Sequence, residues 1–379
     1  MKKKKKVEFK TYNQLLDNLR EHGLNITNNG LAKEILRSRG YYNLVNRYKN
    51  ILYEKNKNIY KVNSSLVEIY LYSRMEDDLK NILFRFTINL EQEIKENMSY
   101  ILSRELGVDP KDYLNPRKYR NRHYSKTVNI LSQVEKVTKT ENNPTKYYRE
   151  NYECIPPWIL MNNVMFGQMR MFYGIFPNKM KRYVVRQILI PPKYEEDRKM
   201  EFKLRAIPKK VWKEIDKEQL EKHQWNGPIY KKAQLQAEND VIELFQTMLK
   251  IINSFRNTLA HGGSISNFNS NVFLQLKYIR YFCRCGFTDN EFKNKNFGNG
   301  IFGVLLILLM TLDKFDAAFL VQKLEDWKKQ NTKNIDQQRA FNTFIDNCGL
   351  PIDFIDRLKD IRRELYTISQ FDFPDLYKF

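Results

Sequence analysis

Residues 65–107 read SLVEIYLYSRMEDDLKNILFRFTINLEQEIKENMSYILSRELG, and their periodicity decides the fold class. Apolar side chains recur at Ile69, Met75, Leu79, Ile82, Leu83, Phe86, Leu90, Ile94, Met98, Ile101 and Leu102. Most spacings are three or four, which lays these residues along one face of a helix. Ser65 with Glu68 has the form of a capping box at its start. Gly107 and Pro110 end it. On this helix Glu91 and Lys95 sit one turn apart, most simply as a surface pair and otherwise as an acid that orients Arg256 across a bundle.

Outward from that helix the pattern stays helical. Only 14 Gly and 12 Pro punctuate 379 residues. Towards the N-terminus, short amphipathic stretches run from Tyr12 to Leu19 and from Leu31 to Arg37, closed by Gly23 and Gly40. An aromatic box from Tyr41 to Tyr48 follows, then a short hairpin about Asn56-Lys57-Asn58. Towards the C-terminus, a weak helix is expected near Val128 to Val137. Another opens at Pro156-Pro157-Trp158 and runs through Val164 and Phe166 to Phe172. Residues 177–232, with Pro191-Pro192 and Pro208, read as loops with short helices. A strong helix from Ala233 to His261 stops at Gly262-Gly263. The apolar run Ile301 to Leu312 is too short to span a bilayer and reads as a buried helix. Amphipathic helices close the chain at Phe315 to Trp327 and Phe354 to Leu365. The expected fold is all-α, with a small mixed basic N-terminal segment (1–62) and a helical domain (63–379) that includes a basic insertion (177–232).

The formal charge is +21, which argues for a polyanionic partner rather than an ordinary metabolic substrate. It is segregated: residues 1–60 carry +9, 110–150 carry +6 and 177–232 carry +8, while the other residues together carry −2. Compositional drift would spread it evenly, whereas a surface built to hold phosphates would not. Candidate RNA contacts are Arg47, Lys118, Arg120, Arg122, Arg182, Arg186, Lys209 and Lys210. Tyr41, Tyr42 and Tyr48 read most simply as core aromatics, or as base-stacking groups if exposed. The run Lys2 to Lys6 reads as a solvated tail able to follow a phosphate backbone; no apolar stretch follows it, so it is not a signal peptide. Four scattered cysteines without a C-x-x-C pair and four histidines leave no zinc ribbon and no histidine cage. No metal and no cofactor is expected, no membrane association, and a reducing, cytoplasmic setting.

Chemistry concentrates at Phe255-Arg256-Asn257-Thr258-Leu259-Ala260-His261-Gly262-Gly263. His261 is the last residue before the glycine stop. Asn257 lies one turn earlier on the same face, and Arg256 about 100° round from Asn257. An imidazole, a guanidinium and an amide at one helix end suit metal-free RNA cleavage. Imidazole can take the 2′-OH proton or protonate the leaving oxygen, and guanidinium can clamp the phosphate. The bare Arg-x4-His spacing is weak, with about 0.24 chance occurrences in a chain of this composition. A rival, Arg117-x5-His123, lies in a basic loop and reads as a phosphate binder. A histidine resting on the helix dipole is the plain structural alternative.

Several boxes, in order, resemble the Abi_2 (AbiD/AbiF-like) group of bacterial abortive-infection proteins over roughly residues 8–330. They are the helix Tyr12 to Leu19 with Gly23-Leu24, then Gly40-Tyr41-Tyr42 with Leu44 and Tyr48. Glu91 follows with Lys95 where the group usually has Arg, then Pro156-Pro157-Trp158, Phe166-Gly167, and Arg256-Asn257 with Ala260-His261 and Asn267. Gly262, Ser264 and Ser266 depart from the His, Arg and Trp often found there. That group resembles the HEPN superfamily of RNases and the nuclease domains of type VI CRISPR effectors.

The resemblance implies a HEPN-like bundle with a catalytic set of Arg256, Asn257 and His261, supported by Glu91, Lys95 and Asn267. It also implies a homodimer that pairs two such helix ends, and a role in antiphage defence. Three functions stand side by side: an RNase, a catalytically silent RNA-binding module holding a structured non-coding RNA, and a helical scaffold for an acidic protein.

Overall fold

The computed structural model describes residues 8–54, 56–119, 123–189, 228–280, 282–293 and 297–366. Among them the chain is all-α apart from one two-stranded hairpin. In order come α1 (Tyr12–Glu21), α2 (Asn29–Arg39), a π-helical turn (Tyr42–Asn46) and α3 (Arg47–Leu52). The hairpin β1 (Tyr53–Glu54) and β2 (Ile59–Tyr60) follows, then α4 (Leu66–Leu106), α5 (Pro110–Tyr113), α6 (Tyr124–Glu135) and α7 (Thr145–Asn151). Next are α8 (Pro157–Asn163), α9 (Phe166–Ile175), α10 (Asn178–Ile188) and α11 (Pro228–Ala260). The chain continues through α12 (Leu276–Ile279), α13 (Asp289–Lys293), α14 (Ile301–Thr311), α15 (Lys314–Gln330), α16 (Ile335–Asn347) and α17 (Phe354–Leu365).

Helix α4 is the spine. Ser65 caps it by accepting the Glu68 amide at 3.1 Å, and Gly107 takes φ +102° at its other end. The expected box is half made, because the Glu68 carboxylate accepts the Tyr72 hydroxyl at 2.8 Å instead. Forty-one residues give it a length of about 60 Å. Its stripe, Ile69, Met75, Leu79, Leu83, Phe86, Leu90, Ile94 and Met98, is buried throughout. Helices α2, α3, α8, α10, α11, α15 and α16 pack around it.

Two lesser layers complete the body. Helix α14 is buried at every residue between α4, α11 and α17. Each large apolar side chain withdrawn there contributes roughly 1.5–3 kcal/mol of transfer free energy. On the other side α9 packs on α6 and α11. No helix among the described residues is long and apolar enough to cross a membrane.

The hairpin falls where the Asn-Lys-Asn turn predicts it, with Tyr53 opposite Tyr60. The single helix expected from Pro156 to Phe172 is two, α8 and α9, broken at Val164 and Met165. Asn163 explains the break. Its side-chain amide donates to Thr145 Oγ1 at 2.8 Å and lies near the Asn142 and Asn143 carbonyls, which turns the chain out of the helix. Within 177–232, residues 178–188 form the regular helix α10, and residues 190–227 lie outside the described residues.

Candidate functional site: the C-terminal end of helix α11

Helix α11 ends in a Schellman motif. The Gly263 amide donates to the Thr258 carbonyl at 2.8 Å and the Gly262 amide to the Leu259 carbonyl at 3.1 Å. Gly262 sits at φ +63°, in the left-handed region that suits glycine. A Cβ on Gly263 would lie 2.9 Å from the Thr258 methyl. His261 is therefore the C-cap, exposed at the helix end, and Asn257 is exposed one turn before it. Gly262→Ala is expected to lower the unfolding free energy by about 1–2 kcal/mol, since a Cβ is strained in this conformation. A wild-type urea midpoint would disprove that.

Two buried carboxylates on α4 organise this end. Glu91 pairs with Lys95 at 2.8 Å and reaches Arg256 across the bundle, Oε2 to Nε at 3.7 Å. Those two atoms are buried and have no hydrogen-bond partner of their own. Glu91 is thus not the surface pair that spacing alone suggests. It stands between two cations and draws the Arg256 guanidinium towards α4.

Glu76, four helical turns earlier and fully buried, grips the loop after the helix. Its Oε1 accepts the Ser264 hydroxyl at 2.6 Å and the Ile265 and Ser266 amides at 2.7 and 2.9 Å. Its Oε2 accepts the Lys80 ammonium at 3.1 Å and the Tyr48 hydroxyl. Burial pushes the Glu76 carboxyl up, yet Lys80, Ser264, Tyr48 and the Ser266 amide outweigh it and hold the carboxyl below its usual value. Burial, with the Glu76 charge beside it, holds the Tyr48 phenol protonated well above its usual range.

Arg47 completes the frame. Its Nη2 donates to the Gly262 carbonyl at 2.7 Å, linking the start of α3 to the end of α11. The helix end is thus tied from two places, by Arg47 at Gly262 and by Glu76 at residues 264–266. Glu76 escaped the sequence reading. Its signal was there: Tyr72, Met75, Glu76, Leu79 and Leu83 follow the buried stripe, so a carboxylate stands on a face that should be apolar. Ser264, through its hydroxyl, and Ser266, through its amide, are committed to this grip.

The remaining expectations divide. Asn267 is exposed in the loop past the motif. Lys118 pairs with Asp112 at 2.8 Å and donates to the Leu106 carbonyl at 3.2 Å, at the end of α4. Arg182 and Arg186 both pair with Glu238 of α11, so one carboxylate within the fold answers half of their charge. Arg120, Arg122, Lys209 and Lys210 lie outside the described residues, as do residues 1–7. Tyr48 is core, Tyr41 is half-buried and Tyr42 is exposed. At Gly167 the start of α9 lies beside α11, where a Cβ would come 3.4 Å from Asn253 Oδ1, about an ordinary contact distance. Phe166 beside it is buried, which gives the Phe-Gly box a packing role. Cys154, Cys285 and Cys348 form no disulfide, and the described residues contain no cluster of three or more His, Cys, Asp or Glu able to hold a metal ion.

A family model described as Abi-like protein matches residues 34–267, from within α2 to just past the capped end of α11. The match is narrower than the 8–330 expected from the boxes. No curated protein and no solved structure matches the chain.

Proposed function

Because this chain belongs to the Abi-like family of abortive-infection proteins, we propose that it is an RNA-binding protein of antiphage defence with a metal-independent, HEPN-type RNase site at the end of α11. The observation that carries this reading is the contact of Arg256 with buried Glu91 beside an exposed, glycine-capped His261. A carboxylate that restrains an arginine lowers the entropy lost when that arginine takes a phosphate. Arg256 binds the scissile phosphate and offsets its growing charge. His261 takes the 2′-OH proton or delivers one to the leaving oxygen, and Asn257 orients the strand. Lys95 pairs with Glu91 from the other side. The exposed helix end is free to meet its counterpart, so the active form is a homodimer with the two ends facing one cleft.

A second reading is a silent RNA-binding module that carries a structured non-coding RNA. The concentration of positive charge in three segments favours it, as does the commitment of Ser264 and Ser266 to Glu76 rather than to a cleft. One preparation tests both. RNA of discrete size is expected to co-purify with the protein, raising its absorbance at 260 nm, and added RNA is expected to be cut in EDTA. Bound but uncut RNA selects the silent module. A preparation free of nucleic acid, with no salt-dependent affinity for RNA, sinks both readings.

A further inference from the structure

A cavity of about 410 Å³ opens between α6, α9 and α11. His123, Lys126, Arg170 and Lys250 line it, and no acidic side chain does among the described residues. Arg170 Nε is buried behind the cavity wall without a hydrogen-bond partner. Elsewhere in the fold many cations are answered by carboxylates, as Arg182 and Arg186 are by Glu238. A pocket that gathers three cationic side chains and a histidine, with no carboxylate in its described lining to answer them, suits an anion.

Its position on α11 says which anion. From Lys250, positions 253, 257 and 261 advance by three, four and four residues, so Lys250, Asn253, Asn257 and His261 share one helix face. Lys250 and His261 are about 16 Å apart along the axis. Helix α9 meets this face at Asn253, whose Oδ1 is buried, with Arg170 one turn further on towards the cavity and with Asn257 and His261 exposed on the other side of the crossing. We propose that this cavity is a phosphate-binding subsite for an RNA strand that runs along α11 and places another of its phosphates at Arg256 and His261. The strand crosses a few nucleotides between the two. The proposal rests on the reading of the protein as RNA-binding but does not need cleavage.

Lys126 and Lys250 are exposed, so K126A/K250A leaves the core intact. The probe is a fluorescent 2′-O-methyl 12-nucleotide RNA, which lacks the nucleophile and stays whole. In anisotropy titrations with the full chain, K126A/K250A is expected to bind about tenfold or more weakly than wild type at moderate salt. Its plot of log affinity against log salt is expected to flatten by about 1.4, the loss of two phosphate contacts. K329A/K333A removes the same charge from exposed positions outside the cavity and is expected to bind as wild type does. Equal weakening in both double variants would reduce the effect to bulk charge and overturn the subsite. Wild-type affinity in K126A/K250A would overturn it too, as would a wild-type protein that binds no RNA. If binding falls as expected while unmodified RNA remains uncut by the wild type, the subsite stands and only the nuclease reading fails.

Discussion

His261→Ala is expected to slow RNA cleavage in EDTA by about 10²–10⁴-fold, the range that one positioned acid or base contributes. The substitution is mild structurally. His261 is the exposed C-cap of α11, and the capping hydrogen bonds use the backbone of residues 258–263. A thermal midpoint near wild type should therefore accompany the loss of rate. Arg256 and Glu91 keep their contact in this variant, so phosphate binding persists while proton transfer fails. Gel analysis of labelled RNA with both proteins decides the matter. A variant that cuts as fast as wild type removes His261 from the chemistry and leaves it as a dipole-facing cap.

Glu76→Ala is expected to be the costliest single change in the described fold, at about 3–5 kcal/mol of stability in urea unfolding. Removing one member of a buried charged cluster strands the others. Here the Lys80 ammonium, the Tyr48 hydroxyl and the Ile265 and Ser266 amides all lose their acceptor. Glu76→Gln keeps an acceptor and should fall between the two. Acid gives a second readout. The folded carboxyl lies below its ordinary value, so its contribution is full above the usual glutamate range near 4.3 and fades as pH falls through the lower folded value. The stability gap between wild type and Glu76→Gln should narrow on acidification through that window. A gap constant from neutral pH into acid would show that folding leaves the Glu76 carboxyl's proton affinity unchanged.

How much of this was legible in the sequence depends on periodicity. Helix α4, α14, the capped end of α11 and α17 announce themselves through long stripes and glycine stops. Helix α16 did not, because Ala340, Phe341, Phe344 and Ile345 form a narrow stripe among Asn, Gln, Asp and Thr. The break between α8 and α9 depends on Asn163 finding partners some twenty residues away, which no local pattern reveals. The same limit applies to the site. Arg256, Asn257 and His261 stand together in sequence, and the spacing brings Glu91 and Lys95 together. Spacing leaves open whether Glu91 is a surface pair or an acid that orients Arg256, and packing decides for the contact with Arg256. Several of the arginines and lysines read as RNA contacts have partners inside the fold, since charge counting cannot tell a free cation from a paired one.

The bonds that tie down the end of α11 join residues far apart along the chain. Arg47 and Gly262 are 215 positions apart, and Glu76 and Ser264 are 188. Contacts of such long range close large loops and form late in folding. Helical segments such as α4 and α11 can form on local contacts while the candidate site is still untethered. For the proposed ribonuclease, this order of assembly would leave a partial chain without its site until the long-range bonds at residues 47, 76 and 262–266 have closed. Local opening of residues 262–266 would reverse that step without unfolding the core, so amide exchange at this short loop is a direct gauge of how much of the population is armed.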